Sequence, residues 1–186
     1  MSKLSTKNMV LASILTALVI ILQFLGAFIK IGTFSISAVL VPIVIGAATC
    51  GVGIGAWLGF VFGVIVLLSG DAALFLAVNI PGTIITVLLK GTLCGFFAGL
   101  TYKALEKVNK YLATVLAAIV CPLVNTGIFL LGCIVFFMPT VTEWAGGQNV
   151  AQFMLVGFVG LNFIVEMGVN IVLSPVIVRL LNIRKK

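Results

Sequence analysis

Histidine is absent from the 186-residue chain, and acidic side chains are scarce, because Asp and Glu together number four. The four cysteines lie within apolar runs and form no C-x-x-C pair, which indicates reduced packing residues rather than a metal site. The sequence also lacks a D-x-x-D motif and a glycine-rich loop ending in GK[ST]. These absences argue against a metal centre, a nucleotide site and acid–base catalysis, so we expect no cofactor and no enzymatic activity.

Charge is scarce as well, and apolar residues dominate the composition. Charged residues make up 8% of the chain and hydrophobic residues 62%, with a mean hydropathy of +1.38. A transmembrane helix needs about 20 mostly apolar residues, so the chain has room for five to seven spans and no soluble domain. The apolar run over residues 9–29 exceeds the core of a signal peptide and predicts a retained span. We expect residues 1–186 to form a single membrane domain.

The basic residues are clustered along the chain rather than spread. Nine of the eleven fall in three groups: Lys3 and Lys7; Lys103, Lys107 and Lys110; and Arg179, Arg184, Lys185 and Lys186. Such clusters are typical of the cytoplasmic flanks of membrane helices. The net charge of +7 therefore predicts contact with membrane lipids and does not require a nucleic-acid partner.

Polar breaks in the apolar pattern predict six helices, over residues 9–29, 36–50, 53–69, 79–102, 112–138 and 152–180. Only the cluster GVGIG at 51–55 divides the second helix from the third, and a single span there would leave five. Six spans place all three basic clusters on one side of the membrane, whereas five would split them. We therefore predict an all-α integral membrane protein with six transmembrane helices and both termini in the cytoplasm. The outer connections are then KIGTFSI, SGDAALFLAV and PTVTEWAGGQN.

Small residues recur at spacings of four on several helices. The third helix carries Gly51, Gly55, Gly59 and Gly63, and the fourth carries Gly91, Gly95 and Gly99. This spacing predicts close helix packing within the bundle. On the first helix, Ser13 and Ala17 form a small patch among bulky residues, and such a patch can admit a helix of another protein.

Two ionisable residues, Lys90 and Glu166, lie deep within predicted spans. Each costs roughly 2.5–3.5 kcal/mol at a helix centre, so both require partners or a wet cavity. Each precedes a cytoplasmic basic residue by thirteen positions, which places both about 20 Å from the inner boundary at 1.5 Å per residue. Asn125 lies near the same level, and Asn79 marks the outer mouth of the fourth helix.

Asn162, Glu166 and Asn170 are spaced by four and share one face of the sixth helix. We expect this stripe to face Lys90 and Asn125 and to line a polar site. The alternative is a buried ion pair with interhelical amide bonds that only holds the bundle together. A membrane enzyme is a further alternative, although the inner loop YKALEKVNKY offers only lysines and Glu106 as reactive groups.

Four segments together resemble the substrate-binding S components of energy-coupling factor (ECF) vitamin transporters. They are KLSTKNMVLASILTALVIIL, ISAVLVPIVIGAATCGVGIGAWLGFVFG, KGTLCGFFAGLTYKAL and NFIVEMGVNIVLSPVIVRLL. The resemblance implies a multi-pass protein of the bacterial cell membrane that binds a vitamin from outside. It also implies association with a transmembrane T component and two ATPase subunits, with toppling of the S component to release its cargo.

The resemblance further implies functional residues. Family members dock through an A-x-x-x-A-like patch on the first helix, which corresponds here to Ser13 and Ala17. Their substrate sites come from the outer halves of the fourth to sixth helices and from the outer loops. In this sequence the corresponding residues are Asn79, Lys90, Asn125, Asn162, Glu166 and Asn170, with Lys30 and Phe34 in the first outer loop.

The segments VLVPIVIGA and GFVFG look most like the pantothenate-type members. One buried lysine among amides also suits a small anionic ligand with hydroxyl and amide groups. The sequence departs from those members just before the fourth-helix glycines, where it reads LLKG. Riboflavin is the alternative ligand, because it is neutral and could stack on Phe34, Phe75 and Trp144.

Overall fold

The computed structural model describes residues 6–28, 30–31, 34–35 and 38–184, without the side chains of 28, 30–31, 34–35, 161–162, 176 and 180–184. The described elements are α1 (Thr6–Phe28), β1 (Lys30–Ile31), β2 (Phe34–Ser35), α2 (Leu40–Cys50), α3 (Val52–Leu68), α4 (Ala73–Leu76), α5 (Ile80–Leu105), α6 (Lys110–Phe136), α7 (Met138–Ala145), α8 (Val150–Phe153), a π-helical segment (Met154–Val159) and α9 (Gly160–Arg184). The two strands form a single antiparallel ladder in which Lys30 pairs with Ser35. Apart from this ladder, the described elements are helical.

Three of the described helices, α1, α5 and α6, are long and apolar enough to cross a membrane. The bent pair formed by residues 150–159 and 163–179 makes a fourth if the pair is one span. The apolar helices α2 and α3 have 11 and 17 residues, short of the roughly 20 that a full span needs. The count of six spans and the side on which the termini lie stay predictions.

The break between α2 and α3 occurs at one glycine of the GVGIG cluster. Gly51 has φ 99° and ψ 174°, a conformation that side-chain-bearing residues rarely adopt. Gly53 and Gly55 continue within α3. The chain therefore turns between two short helices at Gly51.

The last predicted helix, over 152–180, differs in the structure because it is interrupted. The π-helical segment ends at Gly160, whose φ of 27° and ψ of −135° depart from helical values. The two halves meet at an angle of 44°. The preceding connection also differs from a plain loop, because it contains α7, which has a proline in its first turn and ends at left-handed Gly146.

The short helix α2 lies at the centre of the bundle, where it packs against α1, α3, α5, α6 and α9. Leu40, Ile43 and Val44 are fully buried there. Beside it, the predicted glycine faces of α3 and α5 meet directly. A Cβ atom at Gly59 would overlap the backbone carbonyl of Gly91, so the two helices approach to backbone contact.

Candidate functional site

A cavity of about 110 Å³ lies at the end of the bundle where α5 begins and α6 ends. Phenylalanines make up much of its apolar wall: Phe62, Phe75, Phe129, Phe137, Phe158 and Phe163. Its polar lining consists of Gln23, Asp71, Thr83, Thr86, Lys90, Asn125, Thr126 and Glu166. An apolar cavity with a few convergent polar groups is the usual form of a small-molecule site.

The ammonium of Lys90 lies between two aromatic rings in this cavity. Its Nζ atom is 5.6 Å from the ring centroid of Phe62 on α3 and 5.5 Å from that of Phe129 on α6. Each contact contributes about 0.5–2 kcal/mol. Together they offset much of the roughly 2.5–3.5 kcal/mol that a charge costs at membrane depth.

Two carboxylates lie within electrostatic reach of Lys90. The stronger interaction is with Glu166 on α9, and a weaker one is with Asp71 in the connection between α3 and α4. Asp71 accepts a hydrogen bond from the Nε2 atom of Gln23 on α1. The described wall of the cavity therefore carries one ammonium and two carboxylates. The affinity for a ligand will depend strongly on the charge of that ligand.

Two polar atoms on the cavity wall have no hydrogen-bond partner among the described residues. They are Oγ1 of Thr86 and Oδ1 of Asn125, on α5 and α6 respectively. Thr83, by contrast, donates its hydroxyl to the carbonyl of Asn79 at 2.7 Å. Buried polar atoms are nearly always paired, so these two atoms mark where a ligand or ordered water can bond.

An aromatic cluster lies at the end of the cavity where α5 starts. Phe75 of α4 makes edge-to-face contacts with Phe129, Phe137, Trp144 and Phe158, at centroid distances of 5.5, 5.1, 5.7 and 5.9 Å. These rings come from α6, the residue after it, α7 and the π-helical segment. The connection that holds Phe75 therefore packs against the end of α6, against α7 and against the π-helical segment.

The structure brings three of the sequence-predicted ligand residues together, namely Lys90, Asn125 and Glu166. Asn79 instead caps α5, because its Oδ1 atom accepts from the backbone N–H of Gly82 at 3.0 Å. Asn170 is not part of the cavity wall and donates its amide to the carbonyl of Glu166. The side chains of Lys30, Phe34 and Asn162 lie outside the described part of the structure.

The predicted docking patch lies on the outer face of α1. Ser13 and Ala17 are exposed, and the Ser13 hydroxyl donates to the carbonyl of Met9 within the same helix. Thr16, next to this patch, accepts a hydrogen bond from the indole of Trp57 on α3. The patch thus presents small side chains to the surroundings beside an exposed tryptophan.

The sequence analysis did not predict Gln23, Asp71 or Thr86 as part of the site. Gln23 had a signal, because it is the single polar side chain between Thr16 and Lys30 and is 1% exposed. Thr86 had a weaker signal, because it lies one helical turn before Lys90 on the same face. Asp71 had no such signal, because it falls in a predicted loop. Only the path of that loop in the folded protein brings it to the cavity.

Within the described residues, no group of three or more His, Cys, Asp or Glu side chains is placed to hold a metal ion. Cys94, Cys121 and Cys133 are buried free thiols, and Cys50 is partly buried.

Comparison with known proteins identifies a family. The family model described as "ECF transporter, substrate-specific component" matches residues 7–178. No curated protein and no solved structure matches the chain.

Proposed function

This chain belongs to the family of ECF transporter substrate-specific components, and from that premise we propose that its cavity binds pantothenate. Membership makes the chain a membrane protein and the substrate-specific subunit of an importer. Its partners are a small-molecule substrate, the T component and the ATPase components of that importer. The identity of the vitamin and the residues that hold it belong to the proposal.

The observation that carries the proposal is the convergence of Lys90, Asn125 and Glu166 on one cavity from three helices. A purely structural ion pair would fill the space between its partners, because a void beside a buried charge leaves that charge poorly solvated. Here the charged and amide groups border about 110 Å³ of open space.

Pantothenate fits the chemistry of this wall better than riboflavin does. Its carboxylate can pair with Lys90, and its hydroxyl and amide hydrogens can reach the free acceptor on Asn125. Riboflavin is neutral and would leave Lys90 without a counter-ion from the ligand. The carboxylates of Asp71 and Glu166 limit where an anionic group can sit, because only the surroundings of Lys90 compensate its charge.

We further propose that Ser13 and Ala17 contribute the surface on which the T component docks. The two residues are exposed on the same face of α1, and small side chains allow the close approach of a partner helix. The proposal also includes placement in the bacterial cell membrane with six spans and both termini in the cytoplasm, which the basic clusters support.

The proposal is tested by identifying the bound small molecule. Mass spectrometry of the detergent-extracted protein should find pantothenate among the compounds that co-purify, and calorimetry on ligand-free protein should show saturable pantothenate binding. Riboflavin serves as the neutral comparison in the same buffer. Tight riboflavin binding without pantothenate binding would overturn the choice of vitamin, and binding of neither compound would redirect the search to other vitamins.

A further inference from the structure

Two unpartnered polar atoms stand at different depths of the cavity. Thr86 is 5% exposed and Asn125 is 7% exposed, and neither Thr86 Oγ1 nor Asn125 Oδ1 has a hydrogen-bond partner in the described structure. Their helices are antiparallel neighbours in the bundle. Thr86 can donate or accept a hydrogen bond, whereas the Oδ1 atom of Asn125 can only accept one.

The distance between Thr86 and Asn125 along the bundle axis can be estimated from the packing of α5 against α6. The Thr86 side chain rests on Gly132, where an added Cβ atom would overlap it. Asn125 lies seven residues before Gly132 on the same helix. At 1.5 Å per residue, Thr86 and Asn125 are therefore about 10 Å apart along the bundle axis.

Donors collect at the Thr86 end of the cavity. The Lys90 ammonium lies over the ring of Phe129, three residues before Gly132, and Lys90 follows Thr86 by one helical turn. Lys90 and Thr86 thus offer an ammonium and a hydroxyl to an acidic group. The carboxylate of Asp71 accepts a hydrogen bond from Gln23 and interacts with Lys90 more weakly than Glu166 does.

Acceptors collect at the Asn125 end. Glu166 interacts electrostatically with the thiol of Cys121, which lies one helical turn before Asn125 in α6 and further from Gly132. Glu166 also has the strongest electrostatic interaction with Lys90, so its carboxylate lies near the ammonium. An anionic group is repelled there, whereas hydroxyl and amide hydrogens find acceptors.

From this polarity we infer how the ligand is oriented, an inference that rests on the function proposed above. Pantothenate lies along the bundle axis, with its carboxylate against Lys90 and Thr86 and its hydroxyl end against Asn125. Extended, the molecule is about as long as three residues of extended chain, or about 10 Å, which matches the separation of the two groups. The acid end lies nearest Phe75.

Pantothenol, in which a CH2OH group replaces the carboxylate, distinguishes the two ends. Calorimetry should compare pantothenate and pantothenol on the wild-type protein and on the Thr86→Val and Asn125→Leu variants. We expect Thr86→Val to weaken pantothenate binding about fivefold and pantothenol binding by a smaller factor, because a hydrogen bond to a carboxylate is stronger than one to a neutral hydroxyl. Asn125→Leu should weaken both compounds by about tenfold, because both keep the hydroxyl end.

Thr92→Val is the matched control, because the Thr92 hydroxyl donates to the carbonyl of Leu88 and the residue is not part of the cavity wall. Unfolding temperatures of the ligand-free variants verify that each one folds. Equal losses for the two compounds in Thr86→Val would overturn the orientation and leave pantothenate as the ligand. Unchanged binding in Asn125→Leu would also overturn it. A wild-type protein that binds neither compound would overturn the choice of ligand, and the orientation with it.

Discussion

Lys90 is the residue on which the choice of an anionic ligand depends. Its ammonium lies between Phe62 and Phe129 and within reach of two carboxylates, so it is held in place before any ligand arrives. A preorganised cation that faces open space gives specificity through the charge of the ligand. Glu166 opposes that preference, because its negative charge repels the same ligand group.

The first prediction follows from this opposition. Lys90→Met should weaken pantothenate binding by at least about tenfold, which corresponds to about 1.4 kcal/mol, because it removes the counter-ion of the carboxylate. Glu166→Gln should leave pantothenate binding unchanged or tighten it, because it removes a repulsive charge. Both effects can be measured by calorimetry.

The control for this prediction is Lys103→Met, at the exposed end of the same helix. It changes the net charge equally but is remote from the cavity. Pantothenate affinity that is equal in wild-type protein and Lys90→Met would contradict the role of charge pairing.

At the scale of elements, α3 and α5 form the frame that carries Lys90. Their backbones touch along the glycine faces that the four-residue spacing predicts, including the contacts of Gly55 with Gly95 and of Gly59 with Gly91. Lys90 precedes Gly91 directly, so the approach of these helices sets the distance of its ammonium from Phe62 on α3. Substitutions along the glycine face therefore affect both stability and the site.

A second prediction tests this frame with two glycines of the same helix. Gly59→Ala should lower the free energy of unfolding by about 1–3 kcal/mol or more, because its Cβ atom would overlap the Gly91 carbonyl. At Gly53, a Cβ atom would have no neighbour within 4 Å, so Gly53→Ala should be neutral or stabilise by up to about 1 kcal/mol. Thermal unfolding in detergent compares the two, and equal stabilities would contradict backbone contact between α3 and α5.

A third prediction concerns the exposed face of α1. Ala17→Trp should abolish co-purification with the T component and ATPase components while leaving vitamin affinity within about twofold, because a bulky side chain prevents close helix approach. Leu25→Trp is the control, because this exposed position on the same helix already carries a large side chain. Co-purification that survives Ala17→Trp would place the docking surface elsewhere.

At the scale of the whole molecule, the cavity is built from parts that are distant in sequence. Gln23 of α1, Phe75 of α4, Lys90 of α5, Asn125 of α6 and Glu166 of α9 all face the same space. A ligand that contacts these parts at once should hold them together. Its binding is therefore coupled to the stability of the entire bundle.

The fourth prediction is a measure of this coupling. Pantothenate at a free concentration of 100 times its Kd should raise the free energy of unfolding by about 2.7 kcal/mol. The measurement is the unfolding temperature in detergent over a series of pantothenate concentrations, with Lys90→Met as the weakened reference. A saturable ligand that leaves the unfolding temperature unchanged would indicate binding outside the folded cavity.

The amino-acid pattern alone predicts the membrane class, the helical character and the family, and the family model confirms the family. The membrane class and the helical character follow from hydropathy and charge, which are properties of consecutive residues and do not depend on how the helices are arranged. The family follows from the resemblance of four segments to known members. The high cost of burying Lys90 and Glu166 also singles out those two residues from the sequence. Counting residues from a basic loop puts Asn125 near their level, and its side chain lines the same cavity.

Which of the remaining polar groups meet depends on how the helices are arranged in space. Asn79 marks the outer mouth of the fourth predicted helix, but its side chain caps that helix and is not part of the cavity wall. Asn170 shares a face with Glu166 in an unbroken helix, yet it packs away from the cavity wall. Gln23 and Asp71 are 48 positions apart and meet through the folding of a loop. Such contacts depend on the relative positions of helices, which local pattern in the sequence does not encode.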